Sequence, residues 1–451
     1  MMGQVRYALS GRHARAMVLA VFGGCLYVAA CGDSGDSDPS ASDAGDEGLP
    51  IKEPPPIGHD AGLVRPLVVA GQAHVCAILE DDSLRCWGRN AGGQLGNPQV
   101  VVQSDGGYTF DTTTVARPAP AAVGNVVSVA PSTGTSAAID QYQFGTTCAI
   151  LLDGHVQCWG DDTLGALGRG DASANVSLRP HPEPFAVIDL PISDQIATNG
   201  RLSCSVGGGH VRCWGENDLG IMLPGIGPTE QRSPVDIVLP EGRTAKQISL
   251  GRIHACVLLD DGGVACWGGN YSGQLGYQNP DGSHENSMPT IVSSLLSIME
   301  IQASGETTCA REQFGRVFCF GSSQNGALLG RGPADAGNDY SPAEIVLPPE
   351  SFVTQLSMGY DHACVLLRDG AVWCWGENAL GALGDAVVPR SGTPLKVELS
   401  EPAISVAAGE NFTCAVLNNR RVVCWGSNVD GALGQGAVDV SPHPVPMPVI
   451  L

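Results

Sequence analysis

Short apolar runs broken by acidic or glycine turns recur through most of this chain. The clearest is Cys256-Val-Leu-Leu-Asp-Asp-Gly-Gly-Val-Ala-Cys266: one apolar arm, a polar turn, then a second arm. Cys364-Val-Leu-Leu-Arg-Asp-Gly-Ala-Val-Trp-Cys374 and Cys148-Ala-Ile-Leu-Leu-Asp-Gly-His-Val-Gln-Cys158 repeat it. Arms this short, split by an Asp-Gly turn, predict β-hairpins and not helices. A cysteine closes each end, which pairs Cys76 with Cys86, Cys148 with Cys158, Cys204 with Cys213, Cys256 with Cys266, Cys309 with Cys319, Cys364 with Cys374 and Cys414 with Cys424. Six pairs have nine residues between them, which divide into two three-residue arms and a three-residue loop, so the cysteines face each other. The shorter pair, Cys204 and Cys213, is centred on Gly208-Gly209, which suits a two-residue primed turn and keeps the cysteines opposed. A one-residue slip would send one of them to the other face of the sheet.

Opposed residues on antiparallel strands have Cα atoms about 4.5–5.5 Å apart, and a disulfide accepts about 4.4–6.8 Å. Seven disulfides within hairpins are therefore expected. Each closes a loop that the chain-entropy model values at about 2.5–3 kcal/mol. Zinc cysteines usually stand about two to four residues apart, so this spacing does not predict a metal site. No metal or cofactor is expected.

Successive first cysteines lie 72, 56, 52, 53, 55 and 50 residues apart. Self-similarity at such a period indicates a propeller or solenoid. After the second cysteine comes Trp-Gly in six repeats (Trp87, Trp159, Trp214, Trp267, Trp375 and Trp425) and Phe320-Gly321 in the fifth. A polar residue follows two positions later, then a Gly-x-Leu-Gly element such as Gly273-Gln-Leu-Gly276. Gly-x-x-His precedes three of the hairpins, ending at His74, His254 and His362. The tryptophans are expected to be buried packing anchors. The equivalent histidines are expected to make one repeated structural hydrogen bond, since no orienting acid recurs beside them.

The run Gly-x-x-His-x-Cys-Ala-Val-Leu-x-Asp-Gly-x-Val-x-Cys-Trp-Gly-x-Asn-x-x-Gly-Gln-Leu-Gly, present in whole or part seven times, resembles the repeat of the regulator of chromosome condensation family. The resemblance covers residues 67–451. It implies an all-β, seven-bladed propeller with four strands per blade. The paired cysteines depart from the eukaryotic pattern and read as an adaptation for export. The tail Pro444–Leu451 matches the Pro-Val strand that follows each other repeat. It is expected to pair into the first blade and close the circle, hiding the edges.

The N-terminal pattern is different. Arg6, Arg12 and Arg15 precede an apolar run from Ala16 to Ala30. That run is too short to span a bilayer comfortably and suits an export signal over residues 1–30. It ends Val28-Ala29-Ala30-Cys31, which resembles a bacterial lipobox; the resemblance implies lipidation at Cys31. Residues 31–66, rich in Gly, Ser, Asp and Ala and then proline, read as a flexible acidic tether. Such a chain belongs in the bacterial cell envelope, outer membrane or cell surface, where disulfides form.

Composition narrows the partners. With 46 acidic against 24 basic residues the formal charge is −22. Such a surface repels phosphate backbones, so nucleic acid is a poor partner and a basic protein surface suits it better. A monomer anchored by lipid is expected, serving as a recognition or scaffold module. Long loops on a rigid frame are the place to look for recognition. The 72-residue first interval carries Tyr108, Phe110 and Asp111, and a second candidate loop ends at Tyr340. The alternative is a propeller hydrolase or lyase acting on an envelope substrate. His155, His181, His210 and His284 are scattered and no paired carboxylate motif recurs, so no catalytic residue is singled out.

Overall fold

The computed structural model describes residues 65–97, 114–133, 145–162, 164–170, 181–217, 221, 230–324, 327–332 and 337–451. Every regular element among them is a β-strand, and the strands form seven four-stranded antiparallel sheets, each from consecutive strands. Blade 1 is Leu67–Ala70, His74–Ile78, Leu84–Arg89 and Thr114–Pro120. Blade 7 is Ala403–Ala408, Phe412–Leu417, Val422–Gly426 and His443–Pro448. The first strands of successive blades touch all the way round the ring, so they surround the axis, and the fourth strands form the rim. The chain is a seven-bladed propeller.

The hairpins follow from the turn chemistry. Cys256 opposes Cys266 and Leu258 opposes Val264. Leu259 N then bonds Gly263 O at 2.9 Å, leaving Asp260-Asp261-Gly262 as the loop. In blade 3, Gly207 opposes His210, and Gly208 and Gly209 make the turn alone at φ 58° and 81°. Both are left-handed, as a type I′ turn requires.

The opposed cysteines are bridged in every blade. Cys76 is joined to Cys86, Cys148 to Cys158, Cys204 to Cys213, and Cys256 to Cys266. Cys309 is joined to Cys319, Cys364 to Cys374, and Cys414 to Cys424. Their Cα atoms stand 4.1 Å apart, just under the separation expected from sequence. Counting back from the Leu259–Gly263 bond, the cysteines fall at a pair without hydrogen bonds, where facing strands come closest.

The core is distributed between blades. Trp159 of blade 2, for example, packs on Ile78, Leu84 and Leu95 of blade 1. Each Trp-Gly sits at a bulge, where the register between third and fourth strands jumps, as from Cys266 to Gly268. The bulge lets the indole leave its own sheet and bury itself against the preceding blade.

Ring closure differs from the expectation. The tail does not cross into blade 1: His443–Pro448 pairs with the third strand of its own blade, where Met447 opposes Cys424. Blade 1 is completed by its own Thr114–Pro120. The repeat starts at the axis and ends at the rim, so repeat and blade boundaries coincide and no strand is left to lend. The ends meet through complete blades instead. Glu410 N bonds Gln72 O at 3.0 Å, and Arg89 grips Asp430 with two bonds of 2.9 and 3.0 Å.

Candidate recognition surfaces

The three Gly-x-x-His turns bind blade to blade. Each Gly N bonds the His carbonyl three residues on, as in Gly359 N to His362 O at 2.8 Å. A Cβ on Gly359 would stand 1.9 Å from Gly409 O of the next blade, so the glycine is required by close approach. His74, His254 and His362 are buried, and each Nε2 lies 2.8 Å from a hydroxyl of the next blade: Thr147, Thr308 and Thr413. Those hydroxyls lie 2.7, 2.9 and 2.9 Å from the carbonyl oxygens of Gln94, Gln274 and Ala382. A carbonyl only accepts, so the hydroxyl donates to it and the imidazole must donate from Nε2–H. Burial holds His74 and His254 down to about 3 and His362 to about 4. They are neutral structural pins, as expected.

The threonine partners were not anticipated from the sequence. A signal was present: this histidine occurs only where the next repeat has Thr just before its first cysteine. Leu202 is followed by Ala255, and Phe412 by Val75 across the closure.

Strand reversal sorts the loops onto two faces. One face carries the Gly-x-x-His turns and the connections from third to fourth strands; the other carries the hairpin tips and the links between blades. Tyr108, Phe110 and Asp111 fall outside the described residues, as do Cys31 and the tether. The long first interval is not one loop, because Thr114–Pro120 and Val126–Pro131 interrupt it. Its two remaining pieces both join strands that end on the turn face.

Around the axis on this face the described turns present Gln72, Arg201, Arg252, Glu306, Tyr360, Asp361 and Glu410. Arg252 pairs with Glu306 at 3.4 Å, and Ser272 Oγ donates to the other Glu306 oxygen at 2.7 Å. Burial, reinforced by the Glu377 carboxylate, pushes Asp361 up to about 6. Burial also raises Tyr360, whose surroundings include Arg252, Asp361, Glu306 and Glu410. Among the described residues acid predominates at this mouth.

Tyr340 is the second residue of the fourth strand of blade 5, Asp339–Glu344, and is half-buried. Its hydroxyl donates to Tyr271 O at 3.4 Å. Tyr271 is itself 49% exposed, bonds the Glu285 carboxylate, and stacks on His284 with centroids 5.5 Å apart. The loop therefore ends in an aromatic platform that needed the neighbouring blade to form. Among the described residues no group of His, Cys, Asp and Glu could hold a metal. The buried Glu300 carboxylate binds Arg311 at 2.8 Å and Leu356 N at 3.1 Å, a structural bridge.

Comparison with known proteins matches the RCC1-like domain model over residues 144–450 and the regulator of chromosome condensation (RCC1) repeat over 67–94. Ultraviolet-B receptor UVR8 of Arabidopsis thaliana is 28% identical over 326 residues, 70% of this chain and 66% of that protein. Probable E3 ubiquitin-protein ligase HERC6 of Homo sapiens is 31% identical over 264 residues, 57% of this chain but only 25% of that protein. The chain thus spans less than two thirds of these relatives' lengths. The crystal structure of Prp20p from Saccharomyces cerevisiae superimposes with a TM-score of 0.68 at 21% identity, covering 85% of this chain and 88% of that one. Human WBSCR16 does so at 0.67 and 21%, covering 82% and 95%.

Proposed function

Since this chain belongs to the RCC1-like domain family, we propose that it is a protein-recognition module of the bacterial cell envelope, lipidated at Cys31 and held off the membrane by residues 32–66. The turn face is its binding surface and a basic protein patch its partner. The observation that carries this reading is the axial mouth, where among the described residues Glu216, Glu306, Asp361, Glu377 and Glu410 outnumber Arg201, Arg252 and Arg390. Charge of one sign on a rigid surface steers and orients an opposite partner. The formal charge of −22 acts in the same direction at longer range. The export and anchoring reading is supported by the basic start, the short apolar run and Val28-Ala29-Ala30-Cys31. Seven disulfides also fit an oxidising compartment.

The test uses the full chain as bait in envelope extract beside a Glu306→Lys/Glu410→Lys variant. The reading expects a partner that is captured by the wild type, lost with the variant and released by salt. Equal capture by both proteins rejects the mouth as the site. Labelling with fatty acid in cells checks the anchor separately: label on the wild type and none on Cys31→Ser is expected, and an unlabelled wild type rejects it.

A further inference from the structure

The innermost strands are fastened to one another unevenly. Gln195 of blade 3 accepts from Ile248 N of blade 4 at 2.9 Å and donates to Ile248 O at 3.1 Å. Gln247 holds Ile301 of blade 5 in the same way, at 3.0 and 2.9 Å, and Gln355 holds Val406 of blade 7, at 3.0 Å for both bonds. In blade 5 the place belongs to Glu300, which accepts from Leu356 N of blade 6 at 3.1 Å. These four residues share one register position, opposite Val206, Leu258, Arg311 and Leu366, each two places after a first cysteine. A side-chain clamp therefore crosses every interface from blade 3 to blade 7.

At the same register position blades 7, 1 and 2 carry Ser405, Leu67 and Ser128, opposite Val416, Ile78 and Ile150. Leu67 has no polar group to offer, and among the described residues neither serine bonds the next blade. The histidine pins divide these three interfaces further. His74 binds Thr147 across blades 1 and 2. Phe412 and Thr146 stand where the pin would cross from blade 7 to 1 and from blade 2 to 3. The pair of blades 1 and 2 is thus pinned internally and flanked by the two interfaces that have neither pin nor clamp. All seven disulfides lie within blades, so none fastens an interface and each blade stays whole when its neighbour leaves.

We infer that blades 1 and 2 open from the ring as one body, hinged on the link 187–194 that leads into blade 3. Blades 7 and 1 have no backbone link between them. They part when Arg89 releases Asp430, Glu410 N releases Gln72 O, Gly436 N releases Ala116 O and Trp87 leaves Ala432 O. Each interface also buries apolar side chains, as Trp87, Phe412 and Leu433 are buried between blades 7 and 1, so the closed ring dominates and the open one is a minor state. Opening separates Gln72 from Glu410 and splits the mouth on the turn face. The inference stands on the bonds between blades and does not depend on any partner at that mouth.

The ring tryptophans report on this directly. Each has no exposed surface and gives its indole N–H to the preceding blade, one for every interface except that between blades 4 and 5. The test is deuterium exchange of these N–H signals, followed by nuclear magnetic resonance in the isotope-labelled full chain. Single Trp→Phe substitutions assign the signals, and blade 5 carries Phe320 at this place already. Trp87 and Trp214 should exchange at a common rate, about tenfold or more faster than Trp267 and Trp425, the effect of a missing pair of hydrogen bonds. Ser405→Gln, which supplies the absent clamp between blades 7 and 1, should slow both signals about fivefold and leave Trp267 unchanged. Gln355→Ser, which removes a clamp, should speed Trp425 about tenfold. Equal rates for all the ring indoles, or different rates for Trp87 and Trp214, overturn the opening of one two-blade body. An unchanged Trp425 rate in Gln355→Ser, or a folded Ser405→Gln variant that exchanges like the wild type, overturns the clamps as its cause.

Discussion

The indole Nε1 of Trp87 donates to the carbonyl oxygen of Ala432, 2.8 Å away and 345 residues later in the chain. The same bond joins every other tryptophan-bearing blade to the blade before it: Trp159 to Gln94, Trp214 to Ala166, Trp267 to Ile221, Trp375 to Leu328 and Trp425 to Ala382. Closure of the ring is therefore one more copy of the contact that builds it. Blade 5 has Phe320, which cannot donate, and there Thr308 Oγ1 serves the waiting carbonyl of Gln274 at 2.9 Å.

The acceptors fall into two groups, which predicts unequal costs for one substitution. Ala382 O receives both Trp425 and the Thr413 hydroxyl. Ile221 O receives Trp267 alone among the described residues, because Ala255 takes the place of the threonine. Trp267→Phe should cost about 1–3 kcal/mol more than Trp425→Phe, the penalty of an abandoned buried acceptor. Both lose the same ring volume, so chemical unfolding of the pair isolates the bond. Equal losses would mean the bonds carry no net stability.

The buried histidines predict an acid-sensitive ring. Their folded values are lowered from the ordinary 6.5 to about 3, 3 and 4. Between those values and 6.5 the unfolded chain binds more protons than the folded one, so stability is full above 6.5 and falls as pH drops toward 4. Each histidine adds a slope of up to about 1.4 kcal/mol per pH unit. His254→Gln should reduce stability near neutrality and make this fall shallower. A slope unchanged by the substitution would remove His254 from the explanation.

Asp361 predicts the opposite sign. Its folded value is raised to about 6 from 3.8. The folded state therefore holds the proton more tightly, and stability declines as pH rises through that window. Asp361→Asn should raise the melting temperature at about pH 8 and leave it nearly unchanged at about pH 4. If the variant melts below the wild type at both values, the carboxylate stabilises the fold through hydrogen bonds and the desolvation argument fails.

The paired cysteines have no exposed surface. Dithiothreitol without denaturant should leave all seven bridges intact, whereas added guanidinium should allow their reduction and lower the unfolding midpoint on refolding. Peptide mapping without reductant should recover Cys76 with Cys86, Cys204 with Cys213, Cys414 with Cys424, and the other four pairs likewise. Free thiols or links between different blades in that map would contradict the hairpin register.

The sequence alone determined what is local and repeated. Hairpin register, loop length, the two-glycine turn of blade 3 and the opposed cysteines all follow from alternation and turn chemistry over about ten residues. The repeat count and the structural role of His74, His254 and His362 were legible for the same reason, since seven copies at one spacing leave little freedom. What the sequence left open is how blades meet. The threonine that receives each histidine, the carbonyl that receives each indole and the platform of Tyr271 under Tyr340 all depend on residues more than forty positions apart, or on the bulge that turns a side chain out of its own sheet. The closing of the ring was decided there too. Strand pairing within a blade already satisfies the tail, so the two ends are joined by side chains and turns at a contact that exists only once all seven blades are in place.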